Sequence, residues 1–343
     1  MNRTYDIAIA GATGAVGEEL LKILEERSFP VRNLFPLASE RSVGKVVNFR
    51  GEELPIQSLY DFDFRKVQIG LFSAGGAVSK DIAPRAAKAG AVVIDNTSQY
   101  RYDDDIPLVV PECNASRIAD HTNRGIIANP NCSTIQLVVA CKPIQDAIGI
   151  ERINVSTYQS VSGAGRLSME ALTQQSQALL ARGNATNNVQ AGQEKPIAFN
   201  AVPKIGPLLD SGYTQEEMKM VWETQKIFED PDIRVNSTCV RIPVYLGHSE
   251  AVHMETRTKL TVKEAHELLS SAPGVTVLDG DGPGEYPTAT TEAANRDDVF
   301  VGRIREDISH PRGLNLWVVS DNLRKGAALN SVQIAEILVK DYL

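Results

Sequence analysis

The residues with the most chemical promise lie in "NPNCSTIQLVVAC", residues 129 to 141, where Cys132 separates a Pro-Asn turn from an apolar, helix-like run. A cysteine without a task is usually a small buried hydrophobe. At a helix N-terminus, aligned peptide dipoles favour the thiolate, and the residue's own N–H can join an oxyanion site. The other three cysteines lack that setting. Cys141 is flanked by Val138, Val139 and Ala140 within the helix, Cys239 alternates with strand neighbours, and Cys113 falls in a loop after a strand. A useful thiolate needs an acid/base partner. "RIPVYLGHSEAVH" offers His248, after Gly247 in an expected turn, whereas His253 lies within an alternating strand and reads as packed or solvated. Arg241 could take a carboxylate through both arms of its guanidinium. Gln159 in "STYQSVSGAG", Arg101 in "NTSQYRYDDD", and Glu216 with Lys219 in "QEEMKM" complete the candidates; each, taken singly, is of a type more often found merely on the surface. Arg101 could also serve only to balance the three aspartates beside it.

A second signature is "GATGAVG", with glycines at 11, 14 and 17 between a strand-like and a helix-like run. Such a turn lets backbone N–H groups and a helix N-terminus face a pyrophosphate, and Gly17 would let the helix sit close to the strand. The spacing is GxxGxxG, not the GxGxxG of the usual dinucleotide fingerprint. The next strand ends in "LASERSVGK". An NAD site wants an acid there for the ribose 2′-hydroxyl. Here stand Ser39, Arg41 and Ser42, which suit a 2′-phosphate through charge-assisted hydrogen bonds, with Glu40 the discordant neighbour. NADP is therefore the expected cofactor.

The elements that must position these groups follow from the apolar pattern. "DIAIAGATGAVGEELLKILEE" reads as strand, glycine turn and helix. Strand-like runs follow in "NLFPLAS", "VQIGLFSA", "AVVIDN" and "PLVVPE", with helical stretches such as "SKDIAPRAAKAG" between them. That alternation predicts a parallel, doubly wound sheet over roughly residues 1–130. Beyond Cys132, "TIQLVVACKPIQDA" reads as helix, while "RINVSTYQSV", "DIRVNSTCVRIPVY" and "EAVHMETRTKL" read as longer strands of an antiparallel or mixed sheet. "RGNATNNVQAGQEK" reads as a surface loop, and "NSVQIAEILVKDYL" as an amphipathic helix. Gly326 and the two adjoining alanines suggest that this last helix packs closely, back against the first domain.

The chain of 343 residues is long enough for two domains and is 43% hydrophobic and 23% charged. A net charge of −8 argues against a nucleic-acid or anionic-membrane partner. No run of about 18 apolar residues occurs, and the apolar opening is too short for a signal peptide. Four cysteines without a CxxC suggest a reducing cytoplasm, and five scattered histidines without an HExxH make a metal site unexpected.

Taken in order and spacing, "GATGAVG", "LASERSVGK", "NTSQYR", "VVPECN", "NPNCSTIQ", "QSVSGAG", "RIPVYLGHSEA" and "DNLRKGAA" resemble the aspartate-semialdehyde dehydrogenase family over nearly the whole chain. The resemblance implies a Rossmann-type NADP domain at 1–130 and 322–343. It also implies an α+β catalytic and dimerisation domain with a mixed, largely antiparallel sheet at 131–321. Cys132 would be the acyl-enzyme nucleophile and His248 the general acid/base. Gln159 and Asn131 would meet the substrate, Arg241 its α-carboxylate, and Glu216 or the adjacent Glu217 its ammonium; Glu216 is preferred because it shares a helical face with Lys219. Arg101 and Lys219 would bind phosphate. Gly11, Thr13, Gly14, Ala15, Val16, Ser39, Arg41, Ser42, Ser73 and Gly75 would line the cofactor, with Ser162, Gly163 and Asn322 near its nicotinamide end.

The reaction so implied is NADPH-dependent reduction of L-aspartyl 4-phosphate to the semialdehyde through a cysteine thioester. It belongs to lysine (through diaminopimelate), threonine, methionine and isoleucine biosynthesis, in a homodimer, with a tetramer as the alternative. Three rivals stand beside it. An N-acetylglutamyl-phosphate reductase shares the chemistry but needs no acid for an acylated nitrogen. An aldehyde dehydrogenase for a sugar phosphate would have less use for Arg241. A non-catalytic NADP-binding paralogue would have no reason to hold both Cys132 and His248.

Overall fold

Strand β1 (Tyr5–Ala10) is buried along its entire length; its apolar run Ile7–Ala10 suits a strand covered on both faces, and the buried Asp6 is paired with Arg32. It opens the first of two compact units into which the chain divides: Met1–Asn131 with Gly326–Leu343, and Cys132–Lys325. Residues 322–325, expected with the nucleotide domain, fall in the second unit. The computed structural model describes residues 3–182 and 195–343; the expected loop "RGNATNNVQAGQEK" lies outside them except at its ends.

In the first unit, α1 (Ala15–Glu26) and β2 (Val31–Ala38) follow β1. Next come the hairpin β3 (Val46–Phe49) and β4 (Glu52–Pro55), then β5 (Gln57–Ser58), β6 (Ile69–Phe72), α2 (Gly76–Lys88), β7 (Val92–Asp95), α3 (Pro111–Asn114) and β8 (Ile126–Ala128). The main sheet has the order β5-β2-β1-β6-β7-β8, and every pairing in it is parallel. Strand order reverses between β1 and β6, the place where doubly wound folds bind ligands beyond the carboxyl ends of the strands. The C-terminal helix Leu329–Asp341 buries Leu329, Val332, Ile334, Ala335 and Leu338 in the same core as Leu20, Ile23 and Leu24 of α1. Asn330 Nδ2 pins it by donating to Val109 O at 3.0 Å and Asn129 Oδ1 at 2.7 Å.

Two expectations for this unit need correction. "PLVVPE" is not a ladder strand: Leu108 makes an isolated bridge with Ala128, and Pro111 opens α3. The Asn114 amide accepts from Val110 N and donates to Leu108 O, taking the backbone groups a neighbouring strand would use. Cys113 consequently sits in a short helix, not a loop. The sixth strand is instead β8, parallel to β7.

The second unit runs α4 (Cys132–Ile148), β9 (Ile150–Gln159), α5 (Arg166–Arg182), α6 (Gln215–Phe228), β10 (Arg234–Arg241), β11 (His248–Thr256), α7 (Val262–Ser270), β12 (Val275–Val277), β13 (Val299–Glu306) and β14 (Gly313–Ser320). Its sheet has the order β10-β9-β11-β14-β13-β12, parallel at both ends and antiparallel between. Strand β10 stops at Arg241, before Pro243, which has no N–H for a ladder. His248 does not lie in the expected turn but is the first residue of β11. Alternation along β11 buries His248, Glu250, Val252 and Met254 on one face. Among the described residues, no helix is long and apolar enough to cross a membrane.

Candidate active site

Helix α4 begins at Cys132, where the first turn of N–H groups has no intrahelical acceptor. Across from it, His248 Nε2 lies 3.2 Å from Cys132 Sγ. The other ring nitrogen, Nδ1, receives the Ser160 N–H at 3.1 Å. A peptide N–H can only donate, so Nδ1 is the acceptor and the neutral ring carries its proton on Nε2, directed at the sulfur. His248 is wholly buried; that burial, and then the Arg241 charge, pull its pKa down to about 3. The acceptor role of Nδ1 and the burial of the ring both favour the uncharged imidazole, whose Nε2–H is directed at the sulfur. Asn131, immediately before the cysteine, is buried.

A row of polar side chains borders this pair. Gln159 and Arg241 are register partners on the parallel strands β9 and β10. Arg241 Nη1 donates to Ser160 O at 2.7 Å and to Gln159 Oε1 at 3.4 Å. Gln159 Nε2 donates to Glu216 Oε1 at 3.4 Å, and Lys219 Nζ to Glu216 Oε2 at 2.8 Å. The two adjacent acids of α6 thus have different tasks. Glu217 closes a capping box with Thr214 and accepts the Cys239 N–H at 3.1 Å, while Glu216 faces the row. Burial lowers the pKa of Arg241, which nonetheless remains a cation at neutral pH. Cation, amide, carboxylate and cation in sequence could bind a zwitterionic amino acid and one further anion. A cavity of about 440 Å³ opens at Arg241 and is lined also by Val161, Ala164, Ser168, Lys195 and Lys204.

In the first unit, the glycine turn follows β1 directly. Gly11 has φ +93°, and a Cβ on it would lie 2.9 Å from Ser73 C; a Cβ on Gly17 would lie 2.2 Å from Gly11 O. Only glycine fits at either place. Gly14 caps α1 without a side chain, so the N–H groups of Ala15, Val16 and Gly17, with Thr13 beside them, form a cradle of the kind that suits a pyrophosphate. Ser73 stands at the neighbouring end of β6, and Gly75, with φ +95°, caps α2. Beyond β2, Ser39 caps a short turn containing Glu40, Arg41 and Ser42. Arg41 is exposed there, and the discordant Glu40 accepts a hydrogen bond from Ser58. Arg101 is buried and donates to Asn96 O at 2.8 Å and Thr97 O at 3.1 Å, while Asp103 and Asp105 pair with Arg124.

Ser162, Gly163 and Asn322 lie behind the histidine. Asn322 Oδ1 accepts the Gly247 N–H at 2.9 Å, and Asn322 Nδ2 donates to Ser162 Oγ at 2.9 Å. A Cβ on Gly163 would stand 3.2 Å from Arg241 Nη1 and 3.4 Å from His248 Nε2. Two neighbours escaped the sequence reading. Ser160 holds Nδ1 of the catalytic histidine candidate. Glu250, two residues after His248 on the same face, is wholly buried and its carboxyl oxygens make no hydrogen bond among the described residues. Burial drives its pKa well above the ordinary glutamate value, against the opposing effect of the Gln136 amide. Among the described residues no group of three or more His, Cys, Asp or Glu is placed to hold a metal ion.

Comparison with known proteins matches both units. The family model for the semialdehyde dehydrogenase NAD binding domain covers residues 6–121, and that for the semialdehyde dehydrogenase dimerisation domain covers residues 141–325. The first unit is thus a nicotinamide-cofactor domain. The aspartate-semialdehyde dehydrogenase of Legionella pneumophila is 61% identical over 343 residues, 100% of this chain and 98% of that one. The enzyme of the same name from Bacillus subtilis is 51% identical over 99% of each chain. Among solved structures, aspartate semialdehyde dehydrogenase II of Vibrio cholerae, complexed with ASA, is 56% identical with a TM-score of 0.95 over 100% of both chains. A half-buried cysteine against a buried histidine, bordered by cations and an acid, a glycine-turn cofactor domain, and full-length relatives of one name lead to one assignment: the chain belongs to the aspartate-semialdehyde dehydrogenase family.

Proposed function

We propose that this enzyme uses NADPH to reduce L-aspartyl 4-phosphate to L-aspartate 4-semialdehyde, reversibly, through a thioester on Cys132. The observation that carries the reading is a sulfur at the N-terminus of α4, 3.2 Å from an imidazole whose other nitrogen is committed as an acceptor. The sulfur attacks the acyl carbon; the C–S bond forms and the C–O bond to phosphate breaks. The electron pair leaves on the phosphate oxygen, which takes up the proton that the Cys132 thiol gave up. Arg241 holds the α-carboxylate, Glu216 the ammonium, and Gln159, with Asn131, orients the acyl group. Lys219, and Arg101 in the cofactor domain, are the cations assigned to phosphate, a stabilisation prepared before the reaction. The glycine turn, with Ser39, Arg41 and Ser42, would hold the reduced cofactor, which would supply the hydride that the acyl carbon needs. The C–S bond then breaks and its electron pair returns to Cys132, where the His248 Nε2–H meets the returning charge.

Arg41, Ser39 and Ser42 favour NADP over NAD, the more so because Glu40 is engaged by Ser58. The semialdehyde as substrate is supported by the Vibrio cholerae complex with ASA. A homodimer formed by the second unit is supported by the matched dimerisation model. Four cysteines, none in a disulfide among the described residues, agree with a reducing cytoplasm. The test is a single turnover in the absence of phosphate. Semialdehyde and NADP⁺ should give a burst of about one NADPH per site and an aspartyl mass increment on the Cys132 peptide. A steady rate with no burst and no acylated cysteine contradicts the thioester.

A further inference from the structure

Among the described residues, no carboxylate hydrogen-bonds His248 in the way one usually orients a catalytic imidazole. Behind its ring stands a buried chain of neutral donors. The Gly247 N–H donates to Asn322 Oδ1, and a peptide N–H can do nothing else, so the Asn322 amide has a fixed orientation. Its NH₂ donates to Ser162 Oγ at 2.9 Å; Ser162 Oγ lies 3.0 Å from Ser160 Oγ, which lies 3.1 Å from His248 Nδ1. Both hydroxyls are also within 3.0 and 3.1 Å of Asn322 Oδ1. Were the Ser160 proton to point there, the hydroxyl lone pairs would confront the lone pair of Nδ1, which the Ser160 N–H has already marked as an acceptor. The repulsion is removed when every donor points the same way: Asn322 to Ser162, Ser162 to Ser160, Ser160 to Nδ1.

We propose that Asn322, Ser162 and Ser160 form a directional donor relay that positions His248, keeping Nδ1 an acceptor and presenting Nε2–H to the Cys132 sulfur. Donors aligned head to tail polarise one another, so the far amide strengthens the last bond as well as the first. The relay is neutral throughout. The titratable or charged groups facing the ring are Cys132 on α4, Arg241 on β10 and Glu216 on α6, with Glu250, whose pKa burial raises, on its own strand. The inference rests on the thioester reaction above, in which that N–H receives the returning sulfur charge. It makes Ser162 and Asn322 positioning residues for the histidine, whatever they contribute to the cofactor.

Nitrogen-15 NMR of the unmodified enzyme, labelled in histidine, reads the tautomer directly. His248 should show an unprotonated Nδ1 and a protonated Nε2 at neutral pH, and a protonated Nδ1 overturns the relay. Asn322→Asp keeps the acceptor for Gly247 but replaces the amide donor with a charge that draws the serine protons backwards. It should lower kcat at least about tenfold, within the range of general acid/base effects. It should also move the pH–rate profile to higher pH. Ser162→Ala, a smaller perturbation, should lower kcat in the same direction without the pH shift. An active enzyme in which Asn322→Asp raises KM for NADP⁺ alone, or alters neither kcat nor the profile, overturns the relay but not the reaction. An unmodified enzyme without phosphate-dependent activity overturns the reaction, and the NMR tautomer then decides the relay by itself.

Discussion

Gly163→Ala isolates the packing of the site from its chemistry. Gly163 is not in the left-handed region, so alanine is acceptable to the backbone and the whole effect must come from the added methyl. That methyl would stand 3.2 Å from Arg241 Nη1 and 3.4 Å from both Cε1 and Nε2 of His248. Comfortable carbon contacts lie at about 3.5–4.0 Å, so Arg241 must retreat by roughly 0.3–0.8 Å and the imidazole by rather less. Arg241 is not free to do so at no cost, because Nη1 is held by Ser160 O at 2.7 Å. A misplacement of about 1 Å at a reacting group can cost about 100-fold, so a fraction of that should lower kcat/KM for the semialdehyde by about 3- to 30-fold. Overpacking should remove about 1 kcal/mol of stability. Steady-state kinetics with each substrate varied in turn, and a thermal melt, give both quantities. Gly76→Ala, at a helical position with nothing within 4 Å of the new methyl, serves as the control and should change neither. If Gly163→Ala keeps full kcat/KM for the semialdehyde, or loses only NADP⁺ affinity, the contact with Arg241 and His248 does not set the site.

The glycine turn should discriminate between its members. Gly17→Ala, whose methyl would fall 2.2 Å from Gly11 O, should abolish detectable NADP⁺ binding by calorimetry, while Gly14→Ala, with its nearest contact at 3.4 Å, should bind within a few-fold of wild type. Equal losses at both positions would contradict the cradle. Glu250→Gln should stabilise the fold in a pH-dependent way. Above the ordinary glutamate value of 4.5 the unfolded chain releases a proton that the folded chain keeps. Wild-type stability therefore falls by about 1.4 kcal/mol per pH unit up to the folded pKa, and the glutamine variant escapes that loss. Its advantage in denaturant melts should widen as the pH rises above 4.5 towards the folded pKa; a gap constant with pH would mean that burial does not raise the Glu250 pKa. Iodoacetamide at neutral pH should label Cys132 well ahead of Cys141, which is buried, and Cys239, whose thiol burial pushes up. Peptide mapping that finds uniform slow labelling would argue against a poised sulfur.

Much of this is legible in the amino-acid sequence because it is local. The buried run Ile7–Ala10, the three glycines after it and the apolar stripe of α1 announce a parallel strand, a tight turn and a covering helix within a few residues of one another. Cys132 is equally local, since a helix start can be read from the residues around it, and the three-residue spacing of Glu216 and Lys219 foretells their contact at 2.8 Å. What fails is what depends on distant partners. "PLVVPE" has the composition of a strand, but Asn114 satisfies its backbone groups. Gly247 signals a turn so strongly that the start of β11 at His248 is hidden. Ser160 meets His248 across 88 residues of sequence, a relation that exists only once β9 and β11 pair in register. Glu250 was partly readable, because strand alternation places it on the face of His248; its isolation from hydrogen-bond partners was not.

The most direct measurement is the phosphate-dependent reduction of NADP⁺ by L-aspartate semialdehyde, followed by NADPH absorbance, with Cys132→Ala and NAD⁺ in parallel. Sustained turnover that requires phosphate, disappears in Cys132→Ala and is markedly weaker with NAD⁺ is the predicted result. Turnover that continues at the same rate without phosphate, or that survives loss of the sulfur, would contradict an acyl-phosphate reaction carried by Cys132.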